Sequence, residues 1–342
     1  MKVRNFFAAA NGYNGFRSYF DRVFKSEDFE RIFVLKGGPG TGKSTLMKRI
    51  AKKAQQLGCD HDNIFCSSDP NSLDGVIVYS ERGRFAILDG TAPHERDAII
   101  PGAIDSIVNL GEGFDVKALK EARIKILELN AQKKAAYKSA YDALRVAGAI
   151  NSQITDTVAK SFSYDKANRL AEHLLLNSNF SVSNEETVGL RRAFCKLGEY
   201  IIDSYCSSDT SIMIHGAHGE NLLFLNLLVE KSGQKQHLIS YDPLDGRFCD
   251  ALMPSEELLI SSTKSNDASY SASELLERSF DEEEVVILEK ARNDMLMQAK
   301  KHFEDASRHH LALESIYSSA MRFERNEELA ENILFDMFAL LS

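Results

Sequence analysis

The alternation of apolar and polar residues along the chain predicts strands and helices that follow one another. Short apolar runs at residues 32–35 and 85–88 are each flanked by charged residues and are typical of buried strands. Residues 46–51 have apolar positions at helical spacing and predict an amphipathic helix. Further strand candidates lie at residues 63–67 and 75–79. This order predicts an α/β fold with a mostly parallel sheet.

The second half of the chain repeats this order of features. Residues 211–219 have the strand and glycine pattern of residues 32–40, and residues 258–261 have the apolar pattern of residues 86–89. An Asp-Pro pair stands between these two features in both halves. Several weak matches in one order predict an internal duplication.

Each half also contains a long segment that predicts helices. Residues 115–149 and 281–321 are nearly free of glycine and proline, and their apolar positions recur near helical spacing. We interpret them as helical hairpins that project from the two cores, and favour exposed structural hairpins over arms that bind a protein partner. The predicted domains are residues 1–187 and 188–342, with residues 161–187 as the bridge.

Composition and charge narrow the class of protein. The chain has 342 residues, of which 44% are hydrophobic and 27% charged, as in globular proteins. The 50 acidic and 41 basic residues give a net charge of −9, which makes nucleic acid an unfavourable partner. The apolar run at residues 222–229 is too short to cross a membrane, and that at residues 6–10 is too short for a signal peptide. We therefore expect a cytoplasmic protein with no membrane partner.

Cysteine usage supports the same compartment. The five cysteines are Cys59, Cys66, Cys195, Cys206 and Cys249. Their odd number and the lack of a C-x-x-C pair favour neither a disulfide framework nor a zinc ribbon.

A glycine-rich motif connects the first apolar strand to the amphipathic helix. The G-x-x-x-x-G-K-[ST] motif and the residue after it are Gly37, Gly38, Pro39, Gly40, Thr41, Gly42, Lys43, Ser44 and Thr45. The glycines let backbone N–H groups turn toward phosphate oxygens, and the helix start adds the positive end of its dipole. Lys43 would reach the β- and γ-phosphates, and Ser44 would bind Mg²⁺. The motif therefore predicts a P-loop NTPase with a three-layer αβα core that binds ATP and Mg²⁺.

A carboxylate at the end of a neighbouring strand is the second requirement for metal-assisted phosphate chemistry. Asp89 follows the apolar run of residues 85–88 and is the candidate Mg²⁺ ligand, together with Ser44. Gly90 stands where many ATPases have a glutamate that polarises the attacking water. Rapid intrinsic hydrolysis is therefore not expected.

Several polar residues near these strand ends are candidates for the missing base. His94 and Glu95 follow the Asp89 strand, and Asp69 and Asp74 lie in an earlier turn. Because strand ends meet at the nucleotide crevice of such sheets, these side chains could converge there. Turn formation by the aspartates and a hydrogen-bonded surface histidine are the alternatives. Arg96 is expected to be a solvated side chain in preference to an arginine finger.

The second half lacks the residues of this chemistry. When the two loops are aligned without gaps, Asn221, Leu222 and Leu223 stand opposite the Gly-Lys-Ser of the first half. The match of the two later strands, which has an offset seven residues smaller, places Ser261 opposite Asp89. Without the lysine, the hydroxyl and the carboxylate, the second loop could not neutralise a triphosphate and its metal. We expect a degenerate domain that packs against or completes the first.

These motifs resemble those of an uncharacterised bacterial family of tandem P-loop ATPase-like proteins. The resemblance rests on residues 4–7, 37–45, 72–74 and 89–94, which match the family's Arg-x-Phe-Phe segment, P-loop, Ser-Leu-Asp turn and Asp-x-Thr-Ala-Pro-His turn. It implies two P-loop halves in one chain and ATP binding. The chain departs from the family at residues 216–223, where a second P-loop would be expected.

Three functions are compatible with these residues. The leading one is Mg²⁺-dependent ATP binding and slow hydrolysis, with the catalytic candidates Lys43, Asp74, Asp89 and His94. The alternatives are a P-loop kinase that phosphorylates a small metabolite or nucleotide, and a non-catalytic nucleotide-gated scaffold. The sequence does not identify a phosphoryl acceptor or a partner.

Overall fold

A computed structural model describes most of the chain. The described residues are 1–176, 186–205, 210–233, 237–255, 258–263, 268–277 and 280–339. They form two compact units, the first from residues 1–9, 18–139 and 301–342, and the second from residues 10–17 and 140–300. Each unit therefore contains chain segments from both sides of the boundary predicted at residue 187.

Strands and helices alternate in both halves of the chain. The elements up to residue 176 are β1 (Val3–Phe7), β2 (Ala9–Gly12), β3 (Gly15–Ser18), α1 (Phe20–Val23), β4 (Arg31–Lys36), α2 (Lys43–Gln56), β5 (His61–Phe65), β6 (Leu73–Ser80), β7 (Gly83–Asp89), β8 (Asp105–Asn109), α3 (Val116–Glu121), α4 (Arg123–Ala159) and α5 (Tyr164–Leu176). Those after it are β9 (Arg192–Cys195), β10 (Gly198–Ile201), β11 (Thr210–His215), α6 (Glu220–Ser232), β12 (Leu238–Tyr241), β13 (Cys249–Ser255), β14 (Leu258–Ser261), β15 (Ala268–Ser271), α7 (Glu282–Ser319) and α8 (Phe323–Ala339).

The first unit contains a six-stranded sheet with the order β1-β5-β6-β7-β4-β8. β1 pairs parallel with β5, and β4 pairs parallel with both β7 and β8, whereas β6 runs antiparallel to β5 and β7. The sheet is thus mixed where a mostly parallel one was predicted. Only two residues, 81 and 82, separate β6 from β7, and so short a connection joins antiparallel neighbours.

The second unit contains a five-stranded sheet with the order β12-β13-β14-β11-β15. β11 pairs parallel with β14 and β15, and β13 runs antiparallel to β12 and β14. This is the same order and the same set of relative directions as in strands β5-β6-β7-β4-β8. The other described strands form two two-stranded sheets. One consists of β9 and β10, which are antiparallel, and the other of β2 and β3.

The core of the first unit lies between one face of its sheet and two helices. Leu35 and Ile87 of the central strands pack with Met47 of α2 and with Ile333 and Met337 of α8. α8 is the last described helix of the chain, so this core combines residues from between positions 35 and 87 with residues more than 240 positions later in the sequence. These apolar contacts follow the helical spacing of α2 and the alternation of β4 and β7.

An aromatic side chain lies against the opposite face of this sheet. Phe24, directly after the four-residue helix α1, packs against Gly75 of β6 so closely that a Cβ at Gly75 would lie 2.7 Å from its ring. Glycine at this position therefore makes room for an aromatic ring on the sheet.

Neither predicted helical hairpin consists of two long antiparallel helices: the first segment contains the six-residue α3 and the long α4, and the second contains α7. α4 has 37 residues and α7 has 38. Gly148 does not interrupt α4, and a Cβ at this position would lie 2.5 Å from Tyr13 and 3.0 Å from the Leu244 carbonyl oxygen. α5 occupies part of the predicted bridge, and residues 177–185 lie outside the described part.

Two further sequence expectations concern membranes and cysteines. Among the described residues, no helix combines the length and apolar character needed to cross a bilayer. The four described cysteines, Cys59, Cys66, Cys195 and Cys249, are free thiols. Cys206 lies outside the described residues.

The place of α8 in the first core generates a stability prediction. Ile333 is 5% exposed and Phe335, on the same helix, is 74% exposed. We expect Ile333→Ala to lower the free energy of unfolding by about 2–4 kcal/mol, because it removes buried methyl groups and leaves a cavity. Phe335→Ala is the matched control and should change it by less than about 0.5 kcal/mol. Urea denaturation measures both, and equal losses would contradict the assignment of α8 to this core.

Candidate functional site

The glycine-rich loop, residues 37–42, connects the end of β4 to the start of α2. Gly40 and Gly42 have φ angles of 71° and 89°, which glycine adopts without the steric cost that a Cβ brings. Gly42 is the N-cap residue of α2, and Lys43 is its first helical residue. The loop therefore ends at a helix N-terminus, where backbone N–H groups lack intrahelical partners and attract anions.

Lys43 is held by the loop and by Asp89. Its Nζ donates to the carbonyl oxygens of Gly37 and Gly38, both at 2.9 Å, and lies 3.6 Å from Oδ2 of Asp89. Oδ1 of Asp89 accepts hydrogen bonds from the backbone N–H and the hydroxyl of Thr91. An anionic ligand could therefore replace the two neutral carbonyl contacts of Lys43 while Thr91 keeps Asp89 in place.

The other residues of the motif have different environments. The backbone N–H of Leu73 donates to Oγ of Ser44 at 3.0 Å, which connects the start of α2 to the start of β6. The hydroxyl of Thr41 donates to a carbonyl oxygen of the same loop at 3.0 Å. Pro39 is half-buried and Thr45 is exposed on the first turn of α2. Ser44 therefore contacts β6 directly.

Three of the predicted catalytic side chains come together beside the loop. Ligand atoms of Asp74, Asp89 and His94 lie within 4.8 Å of one another, and Nε2 of His94 lies 4.0 Å from Oδ2 of Asp74. Asp74 reaches this edge because β6 is antiparallel, so its first residues lie beside the last residues of β7. The ring of Phe20 stacks on His94 with 4.4 Å between centroids. The mixed sheet thus brings two carboxylates and an imidazole together.

Burial changes the protonation of this cluster. Burial and the nearby Asp89 carboxylate raise the pKa of Asp74 to about 8, against smaller opposite effects of Cys66 and Lys43. Burial also lowers the pKa of His94. The pKa of the Cys66 thiol is raised well above its usual value, mainly by burial and to a smaller extent by a negative charge on Asp74. At neutral pH Asp74 is therefore mostly protonated and adds little negative charge beside Asp89.

The remaining candidates lie elsewhere. The Asp69 carboxylate accepts from a backbone N–H two residues later, as in a turn, and Glu95 is exposed. Arg96 is only 4% exposed, and Nη2 donates to Oγ of Ser26 and lies 3.6 Å from the Asp105 carboxylate. The expectation that Arg96 is solvated is wrong, because a buried hydroxyl and carboxylate hold its guanidinium.

Residues near the end of the chain contact the loop, and the sequence did not indicate them. Oγ of Ser318 on α7 donates to the Gly40 carbonyl oxygen at 3.4 Å, and Nδ2 of Asn326 on α8 donates to the Thr41 carbonyl oxygen at 3.1 Å. Asn326 is buried. No local motif marks these residues, since they meet the loop only through tertiary packing.

The corresponding loop of the second unit is two residues shorter. It spans residues 216–219 between β11 and α6, and Gly219 is the N-cap residue with φ 98°. Glu220 and Asn221 therefore stand at the first two helical positions, as Lys43 and Ser44 do in α2. The alignment without gaps is wrong by two residues here, because the loop lengths differ.

The strand that follows also shifts by one position. From the pairing of β11 with β14, Ser262, not Ser261, stands at the register position of Asp89. The corrected positions still contain neither a lysine on the helix nor an aspartate at the strand end.

The donor set of the first unit is suited to a hard divalent cation. Asp74 and Asp89 offer carboxylate oxygen atoms, which Mg²⁺ prefers, and His94 adds a nitrogen. No family model, curated protein or solved structure matches this chain. The function is therefore inferred from the site's own residues.

The contact of α7 with the loop generates a prediction. Gly40 and Gly58 have nearly the same φ, 71° and 72°, but a Cβ at Gly40 would lie 2.2 Å from Oγ of Ser318, whereas Gly58 faces open space. We expect Gly58→Ala to cost about 1–2 kcal/mol of stability from backbone strain. Gly40→Ala should cost about 1–3 kcal/mol more, because the added methyl group also displaces the helix.

Urea denaturation of both variants measures the difference. Equal losses would show that Ser318 does not pack on the loop.

Proposed function

We propose that the chain binds ATP with Mg²⁺ at residues 37–45 and hydrolyses it slowly. The observation that carries this proposal is the 3.6 Å distance between Nζ of Lys43, at the start of α2, and Asp89, at the end of the adjacent parallel strand. A phosphate-binding cation and a metal-binding carboxylate at this spacing are the two requirements of P-loop chemistry.

Each side chain has a role in this proposal. Backbone N–H groups at the start of α2 and the Lys43 ammonium would bind the phosphate oxygens. Oγ of Ser44 and the Asp89 carboxylate would hold Mg²⁺, and Thr91 keeps that carboxylate oriented. When bound, Mg²⁺ neutralises charge on the β- and γ-phosphates.

Slow hydrolysis follows from the residues around Asp89. Gly90 provides no carboxylate for water activation. We assign water positioning to Asp74 and His94, which lie within 4.8 Å of the Asp89 carboxylate in ligand-atom distance. Water attacks the γ-phosphorus, the bond to the β-phosphate oxygen breaks, and ADP and phosphate leave. Both side chains are largely buried, so their access to water is restricted.

We further propose that the two units are duplicated P-loop NTPase domains, the second without nucleotide chemistry, as the family resemblance implies. The common strand order and directions of the two sheets support the duplication. Glu220, Asn221 and Ser262 at the positions of Lys43, Ser44 and Asp89 support the loss of the second site.

Nucleotide affinity tests the assignment of Lys43. We expect Lys43→Ala to weaken MgATP binding about ten- to hundredfold, because hydrogen bonds to a charged group contribute about 1.5–3 kcal/mol. Lys48→Ala removes an exposed lysine from the same helix and should leave the affinity unchanged. Isothermal titration calorimetry gives both values and the stoichiometry, which should be one nucleotide per chain. Undiminished affinity in Lys43→Ala would refute this site.

Phosphate release tests the role of Asp89. Asp89→Asn keeps the shape of the side chain and removes its charge. The variant should therefore fold, but its Mg²⁺-dependent rate of phosphate release should fall about a hundredfold. Asp69→Asn, in the turn, is the matched control and should retain turnover. Formation of ADP and of a phosphorylated product that requires an added hydroxyl compound, with little free phosphate, would instead support the kinase alternative. ATP binding without ADP formation would support the scaffold.

A further inference from the structure

The loop of residues 216–219 in the second unit surrounds a carboxylate of its own chain. Oε1 of Glu220 accepts from the backbone N–H of Ala217 at 2.9 Å and from the hydroxyl of Ser273 at 2.7 Å. Oε2 accepts from the backbone N–H of His218 at 2.8 Å. Both carboxylate oxygens are thus bound by donors of the loop and of the segment after β15.

This carboxylate is enclosed. Glu220 is 0% exposed, and a Cβ at Gly216 would lie 2.9 Å from its Cδ. A buried charge is costly unless hydrogen bonds compensate for the lost water. Here two backbone N–H groups and a hydroxyl do so at the start of a 13-residue helix, whose dipole also favours negative charge.

The protonation of Glu220 agrees with this geometry. Burial alone would raise the pKa of Glu220, but the hydrogen bonds from Ser273 and from backbone N–H groups outweigh burial and lower it. The imidazole of His218 interacts with another carboxylate, since its Nδ1 lies 3.0 Å from Oε1 of Glu289 on α7. Among the described residues, the donors to the Glu220 carboxylate are therefore the neutral Ala217 and His218 N–H groups and the Ser273 hydroxyl.

We propose that the second loop is an anion-binding cradle whose ligand is the chain's own Glu220 carboxylate. The cradle consists of the Ala217 and His218 N–H groups and the Ser273 hydroxyl. Backbone N–H groups before a helix bind phosphate oxygens in P-loops, and here a side chain at the first helical position takes that place. The cradle takes a small carboxylate, such as formate, once the Glu220 side chain is removed. This inference concerns the second unit and does not depend on ATP binding by the first.

Chemical rescue tests the proposal. Glu220→Ala should lower the melting temperature by about 5–10 °C, because two backbone donors and a hydroxyl lose a charged partner. Sodium formate should restore the melting temperature of this variant in a saturable manner, whereas sodium chloride at the same ionic strength should not. The wild-type chain should respond equally to the two salts. No loss in Glu220→Ala, or equal effects of formate on variant and wild type, would overturn the proposal.

Two further measurements keep the test decisive. Glu220→Gln keeps the shape of the side chain but removes its charge, so this variant should melt below the wild type. Because the glutamine side chain still fills the cradle, formate should not raise its melting temperature. A melting temperature equal to that of the wild type would refute a role for the charge, even if Glu220→Ala does not fold. In folded Glu220→Ala, formate should shift the NMR amide signals of Ala217 and His218. Rescue of the melting temperature without these shifts would place the anion elsewhere and refute the cradle.

Discussion

The parallel pairing of β4 with β7 fixes the geometry on which the candidate site depends. This pairing sets Leu35 opposite Asp89, so the carboxylate lies at the same edge as the glycine-rich loop that follows β4. A slip of one residue would turn Asp89 to the other face of the sheet, because strand side chains alternate. The buried apolar residues on both strands make such a slip costly, and the Lys43–Asp89 distance follows from this register.

Charge compensation is the second constraint on the site. Two carboxylates, Asp74 and Asp89, lie close together under partial or complete burial, with Lys43 as the neighbouring cation. Asp74 stays protonated at neutral pH because burial and Asp89 raise its pKa to about 8. A divalent cation would supply the positive charge that allows both carboxylates to ionise, so metal binding and the protonation of this cluster are linked.

The two units meet similar demands with different chemistry. In the first, the start of α2 follows a six-residue loop, and the loop carbonyls hold a lysine. In the second, the start of α6 follows a loop two residues shorter, and the loop N–H groups hold a glutamate. Two sheets with the same strand order thus precede helices that begin with opposite charges, Lys43 in α2 and Glu220 in α6.

The sequence by itself determined the local features of this protein. Glycine positions, the apolar strands and the spacing of Lys43, Ser44 and Asp89 define a loop between a strand and a helix, because backbone conformation and alternation act over a few residues. Only the tertiary structure decided which distant groups meet. Asp74 lies at the site because β6 is antiparallel to β7. Ser318 and Asn326 contact the loop because α7 and α8 pack beside it. Arg96 is buried against Ser26 and Asp105. The tertiary structure also decided the loop lengths that place Glu220 opposite Lys43. Such contacts depend on strand pairing and packing between remote segments, and no local pattern of residue types records them.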